Sequence, residues 1–239
     1  MQCFTILRET WRGKDIYRVL MNQACADFTM KGLTVDVGSS TRLASYHRFL
    51  QKDPGTTLEC LDLGFESTGI GGKRIDLEQD KLPYADGVVD SVLMFNLLEH
   101  IYNYDQALRE AARVLKPGGQ LIGAVPFLVN YHPDPHDYWR FTGETLQNIF
   151  TQAGFKDIQV ISFGCGPFTA GWSHVEQVVP RILKIIFLPL VLLFDAAVSA
   201  LVPKMNKDRF SLGFLFHCRA PAAGEAQAKS IQVAGAQAA

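Results

Sequence analysis

The chain has 239 residues, 48% of them hydrophobic and 20% charged, which suits one α/β domain with a full core and additions. A formal net charge of −1 excludes a nucleic-acid partner held by bulk electrostatics. Cys3, Cys25, Cys60, Cys165 and Cys218 are scattered without a CxxC pair, which argues against structural zinc and a disulfide framework and for a reducing compartment.

Arg8, Glu9, Arg12 and Lys14 break any apolar run at the start, so this stretch does not read as a secretory signal. Residues 1–30 suit one or two leading helices, with Trp11, Ile16, Tyr17, Val19 and Leu20 as apolar positions. Residues 33–37 form a short strand ending in Gly38-Ser39-Ser40, and 41–50 restart as a helix. Residues 57–63 are a second strand between Pro54-Gly55 and Gly64. A glycine-rich turn at 69–73 leads to a third strand at 74–77. Residues 90–95 are a fourth strand, apolar almost throughout as buried parallel strands are.

Residues 104–115 give the clearest helix, with Ala107, Leu108, Ala111, Val114 and Leu115 on one face. Lys116-Pro117-Gly118-Gly119 ends it, and 120–126 are the fifth strand. Thr142 caps a helix over 144–153, with Gly154 beyond its end. Residues 155–162 alternate as a sixth strand and 210–219 form the last, leaving an Ala-, Gly- and Gln-rich tail at 220–239 expected to be disordered. Strands alternating with helices imply a doubly wound parallel sheet in an α/β domain. Ligands then sit beyond the carboxyl ends of the strands, in the loops after Val37, Asp62, Leu77, Phe95 and Val125.

At this point LPYADGVVDSVLMFNLLEHI, followed by RVLKPGG, resembles the class I S-adenosylmethionine-dependent methyltransferases, in their type 11 small-molecule branch. The resemblance covers roughly residues 30–160 and implies a Rossmann-like seven-stranded sheet whose last strand is antiparallel. The methyltransferase domain is then 1–219, with an apolar helical insertion at 164–209. VDVGSS at 35–40 matches the family's first motif, although Ser39 and Ser40 stand where the family continues Gly-x-Gly. By this resemblance Asp36, Gly38 and Ser39 shape the methionine pocket of S-adenosyl-L-methionine. Asp62 accepts from the ribose hydroxyls, Asp76 and Leu77 hold the adenine, and Asn96 lines the methionine side. A dinucleotide fingerprint is absent, because GSSTRL from Gly38 lacks both later glycines.

Methyl transfer from a sulfonium is an in-line displacement, and a hydroxyl acceptor also needs a base. His100, His132 and His136 are the candidates. No metal is expected: Asn96 occupies the position where quinone-pathway relatives of the Leu-Glu-His segment carry a second carboxylate, and Pro133 and Pro135 oppose a helix pairing His132 with His136. The aromatic and charged segment 129–142 suits a substrate pocket, with Tyr138, Trp139 and Arg140 as contacts.

Residues 181–203 are nearly long enough to span a bilayer, but Asp195 and Pro189 interrupt them and a span would separate the last strand from its sheet. Two readings stay open. The segment lies in a membrane interface with Arg181, Lys184, Lys204, Lys207 and Arg209 near headgroups, or it is a lid or homodimer helix buried on protein. The sequence thus leads to a cytoplasmic methyltransferase, peripheral on the inner face of the membrane, acting on oxygen of a small or lipid-linked acceptor. The alternative is a catalytically silent scaffold of the same fold that binds a membrane or enzyme partner.

Overall fold

The computed structural model describes residues 3–39, 43–64, 72–202, 204 and 206–221. Its strands are β1 (Thr29–Met30), β2 (Leu33–Val37), β3 (Gln51–Lys52), β4 (Thr57–Asp62), β5 (Lys73–Arg74), β6 (Val89–Phe95), β7 (Leu115–Pro126), β8 (Lys156–Phe163) and β9 (Gly213–Arg219). Its helices are α1 (Cys3–Trp11), α2 (Ile16–Ala24), α3 (Tyr104–Val114), α4 (Gly143–Gln152), α5 (Pro167–Val175) and α6 (Arg181–Leu201). Seven strands make one sheet in the order β5-β4-β2-β6-β7-β9-β8, with β1 and β3 as a separate parallel pair. Only β9 runs antiparallel to its neighbours, β7 and β8. This is the Rossmann-like sheet expected from the sequence, with the last strand reversed.

The central strands are apolar throughout because both sheet faces are covered. Val35, Val37, Leu61, Val92, Met94 and Leu121 pack with α3 and α4 on one face. Leu93, Phe95, Ile122, Ala124 and Leu215 pack with the N-terminal helices on the other. At Gly123 a Cβ would lie 1.9 Å from the Met94 carbonyl oxygen, so only glycine lets β7 approach β6 there.

The RVLKPGG segment fastens two loops through its cations. Arg113 at the end of α3 donates to Glu110, to Asp86 at 2.7 Å and to the carbonyls of Leu82 and Tyr84, fastening the LPYADG loop to the helix. Lys116 reaches both oxygens of Asp90 at 2.7 and 2.8 Å, and Asp90 in turn accepts the Leu33 N–H.

Several boundaries differ from expectation. In place of a helix over 41–50, the described residues hold a short 3-10 turn at Ser45–Arg48. Tyr46 and His47 there are drawn inward to Asp36, and that tertiary demand outweighs helix propensity. The third strand is only Lys73–Arg74, because Asp76 accepts the Glu78 N–H and its carbonyl accepts from Asp80, closing a turn. The KPGG segment lies within the span of β7: Leu115 already pairs with Val89, and a register shift lets regular pairing resume at Gln120. The last strand starts at Gly213, after a 3-10 turn at Lys207–Phe210. The glycine-rich turn at 69–73 and the tail at 220–239 fall almost entirely outside the described residues.

The insertion between β8 and β9 is a pair of helices laid on the domain. α6 packs along α5 and α1, with Leu188 and Asp195 buried on its inner side. Asp195, which interrupts the apolar run in the sequence, caps the start of α5. It accepts the N–H groups of Phe168 and Thr169 at 2.8 Å each, and the Thr169 hydroxyl. The outer side carries exposed Ile182, Ile186, Leu190, Leu193 and Phe194. By length and composition α6 is long and apolar enough to cross a membrane.

Candidate functional site

The carboxyl ends of β2, β4, β5, β6 and β7 form one rim, and the residues expected to hold a cofactor stand along it. Asp36 in β2 is fully buried. Its Oδ2 accepts the Tyr46 hydroxyl at 2.7 Å and faces His47 Nε2 at 2.7 Å, while Oδ1 has no hydrogen-bond partner among the described residues. Burial pushes its carboxyl up, with His47 and Tyr46 opposing. Gly38 follows at φ +78°, and a Cβ there would meet Leu97 Cδ1 at 2.6 Å, so the turn presents bare backbone. Ser39, in place of a glycine, is buried at the turn, next to the end of β4, where its amide shares the Leu61 carbonyl with Gly38.

Asp62 closes β4, with one carboxylate oxygen accepting the Gly64 N–H at 2.7 Å. Asp76 and the buried Leu77 follow β5. Glu78, two residues on, accepts the N–H groups of Tyr102 and Asn103, tying this loop to the one after β6. Asn96 adopts φ +51° just past β6, and its side chain is held from α2 by the Tyr17 hydroxyl and the Met21 sulfur. The N-terminal helices thus close over the rim.

These residues fit a nucleoside-sulfonium ligand. They offer a turn kept open by glycine, an unpartnered buried carboxylate oxygen beside it, and carboxylates on the two neighbouring strand ends. Two surface clefts lie elsewhere. One of about 490 Å³ is lined by Leu20, Phe49 and Phe163, and one of about 950 Å³ by Thr142, Gln147 and Val160. The rim is the better candidate, since the chemistry-bearing groups converge there; residues 40–42 and 65–71, in its loops, are outside the described set.

Beside the cofactor residues, the loops after β6 and β7 meet. Glu99 is fully buried, and neither carboxylate oxygen has a hydrogen-bond partner among the described residues. Burial pushes its carboxyl up to about 8. His100 Nε2 lies 3.7 Å and His132 Nε2 3.9 Å from Glu99 Oε1, with the two imidazoles edge-on at 5.3 Å between centres. Burial pushes His100 down, toward the neutral ring. The loop is braced around them. Asp137 accepts the His132 backbone N–H at 2.9 Å and the Arg140 guanidinium, and the Glu99 carbonyl accepts from Tyr138 at 2.7 Å. Arg140 holds the Asp137 carboxyl down at about 2.

The expected base and substrate residues therefore separate. His100 and His132 come together; His136 is exposed, stacks on Tyr138, and contributes only its carbonyl to His100. Trp139 donates its indole N–H to Ile101 at 3.0 Å and packs on Tyr102, Tyr104 and Phe141. Arg140 is held by Asp137 and by the carbonyls of Trp139 and Asn130, which makes it a brace of the loop. Tyr138 is 43% exposed and stands at the open side. Sequence reasoning did not place Glu99 among the candidate site residues. The signal that it belongs there, a carboxylate next to a histidine directly after the fourth strand, was present in NLLEHI. The expectation of no metal considered ligands from that segment and from a helical His132–His136 pair. The fold instead brings Glu99, His100 and His132 within one ligand shell, all three donor atoms inside 4.8 Å.

Known proteins share the central part of this chain. Residues 61–123 match the family model described as a methyltransferase domain. A probable S-adenosylmethionine-dependent methyltransferase of Mycobacterium tuberculosis is 29% identical over 93 residues, 36% of this chain and 34% of that protein. A demethylmenaquinone methyltransferase of Halalkalibacterium halodurans is 35% identical over 112 residues, 39% of this chain and 46% of that one. The chain thus spans less than half the length of either relative it matches. Among solved structures, an S-adenosylmethionine-dependent methyltransferase of Thermotoga maritima superposes with a TM-score of 0.54 at 15% identity, covering 89% of this chain and 92% of that one, and so shares the fold.

Proposed function

We propose that the chain is a class I S-adenosylmethionine-dependent methyltransferase and that its activity is methyl transfer to an oxygen of a small or lipid-linked acceptor. The observation that carries this reading is the rim itself. Asp36, Gly38, Asp62 and Asp76 stand at successive strand ends of the sheet, beside a half-buried pair of imidazoles. When bound, the cofactor supplies a methyl group on a positively charged sulfur.

This chain's residues do the rest. Asp62 accepts from ribose hydroxyls, Asp76 accepts an exocyclic amine with Leu77 against the ring, and Gly38 lets backbone approach the amino-acid end. Tyr17 and α2 cover the rim and exclude water. His132, whose side chain is 37% exposed, faces the acceptor side and takes the hydroxyl proton at Nε2.

The outer face of α6 supports peripheral membrane contact for a lipid-linked acceptor. Its exposed isoleucine, leucine and phenylalanine side chains form one apolar side, and Arg181 stands at one end, Lys204 and Arg209 beyond the other.

Calorimetry with S-adenosylmethionine tests the rim. Asp62→Ala is expected to weaken binding ~10–100-fold, the worth of charge-assisted hydrogen bonds. Transfer of labelled methyl to an extract component, lost in Asp76→Ala, tests the reaction; binding without any transfer would instead identify a silent scaffold.

A further inference from the structure

The histidines of the rim have fixed tautomers. His100 Nδ1 lies 2.5 Å from the His136 carbonyl oxygen, and His132 Nδ1 lies 2.8 Å from the Asn130 carbonyl oxygen. A carbonyl only accepts, so each Nδ1 carries the proton and each neutral ring turns a bare Nε2 lone pair the other way. The Arg140 contact to His132 Nδ1, at 3.4 Å, is too long to reverse this. Both lone pairs face the same oxygen of a carboxylate that is 0% exposed and has no donor of its own. At 3.7 and 3.9 Å neither Nε2 is within hydrogen-bond reach of that oxygen, so a proton on the carboxyl does not bridge the group, and three donor atoms surround a gap that no described residue fills. Arg140 does not fill the gap, because Asp137 holds its guanidinium.

We propose that Glu99, His100 and His132 form a binding site for one divalent transition-metal ion of zinc's class. Donor atoms ~2.0–2.2 Å from a tetrahedral zinc stand ~3.4 Å apart, and the observed 3.7 and 3.9 Å need only small side-chain shifts to reach that. Two imidazoles and one carboxylate are the donor set of a catalytic zinc site with an open fourth position, and two nitrogen donors disfavour magnesium and calcium. The Nδ1–carbonyl bonds are the outer-shell contacts that aim such ligands. The open position lies on the partly exposed His132 side, where an acceptor hydroxyl would bind; with the ion in place the Nε2 lone pair of His132 is a ligand, and the hydroxyl, made more acidic by the ion, would give its proton to solvent in place of that ring. That last role rests on the transferase reading; the binding of the ion does not.

The full chain, stripped with a chelator, is titrated calorimetrically with zinc(II), with magnesium(II) as control, and with cobalt(II) followed by visible absorption. One equivalent of zinc, no magnesium, and a cobalt spectrum of a four- or five-coordinate nitrogen–oxygen site are expected. His132→Ala and the isosteric Glu99→Gln should each weaken zinc by at least ~10–100-fold, the loss that even an outer-shell partner carries, while S-adenosylmethionine still binds, which shows the fold intact. Cys60→Ser with Cys165→Ser should leave zinc affinity unchanged. Absence of a zinc equivalent on folded chain, or full affinity in both ligand variants, overturns the site. Labelled methyl transfer that proceeds with no zinc equivalent bound removes the metal and keeps the transferase; a zinc equivalent with no transfer does the reverse.

Discussion

Two carboxyl groups, Asp195 and Glu99, are buried in this molecule with contrasting surroundings. Asp195, at the α5–α6 joint, is 2% exposed and receives three donors, from Phe168, Thr169 and the Thr169 hydroxyl. Glu99, on the rim, is 0% exposed and receives none. A buried acid that is fully satisfied costs little and locks two elements together; one left bare costs stability and persists where a ligand completes it. Glu176 is intermediate: it accepts the Ile16 N–H at 2.8 Å on one oxygen, while the other has no partner.

The sharpest way to break this contrast is Asp195→Ala. It strands the buried N–H groups at the start of α5 and should cost ~3 kcal/mol, read from urea unfolding. A loss under ~1 kcal/mol would mean that the joint does not depend on the cap. Next in size is Glu176. Its folded value is raised to about 7 from the ordinary 4.5, chiefly by burial. The folded state therefore holds the proton more tightly than the unfolded chain. This stabilisation is full below the unfolded value and disappears as pH rises through the folded one. Glu176→Gln keeps the Ile16 bond, flattens the decline between these two values, and should leave the variant ~2 kcal/mol more stable than the parent at pH 8. Equal thermal shifts of parent and variant at pH 5 and pH 8 would refute it.

Glu99→Leu, by contrast with Asp195→Ala, should leave stability unchanged or raise it by ~1 kcal/mol in metal-free protein, since it removes an unpartnered polar group. A clear destabilisation would show that Glu99 has a structural partner after all. The smallest effect on folding belongs to the outer face of α6. Leu193→Ser with Phe194→Ser should change stability by no more than ~0.5 kcal/mol per site. The same pair should abolish flotation with anionic vesicles, and unchanged flotation would move the membrane contact elsewhere.

The strands and helices were legible where the signal is local. The apolar run of β6, the helical face of α3 and the Thr142 cap of α4 all follow from neighbours within a few residues. So was the shared rim on which Asp36, Asp62 and Asp76 stand, because a doubly wound sheet places strand ends by rule. What stayed hidden depends on pairs distant in the chain. Nothing near Glu99 announces His132, which reaches it from the end of a different strand. Nothing near Asp195 announces α5, so the sequence presents it as an interruption when it is an anchor. Tyr46 and His47 were read as helix because their tertiary obligation to Asp36 has no local trace.

The position of β9 carries a consequence for synthesis. Among the described strands it is the last made, yet it lies inside the sheet, joining β7 on one side to β8 on the other. Until it emerges from the ribosome, both of those strands present open edges, and the apolar outer side of α6 has already been translated ahead of it. The nascent chain thus passes through a stage in which its stickiest helix is exposed beside an unfinished sheet. Early capture of that helix by a chaperone or a lipid surface would protect the molecule at the moment it is most prone to aggregate.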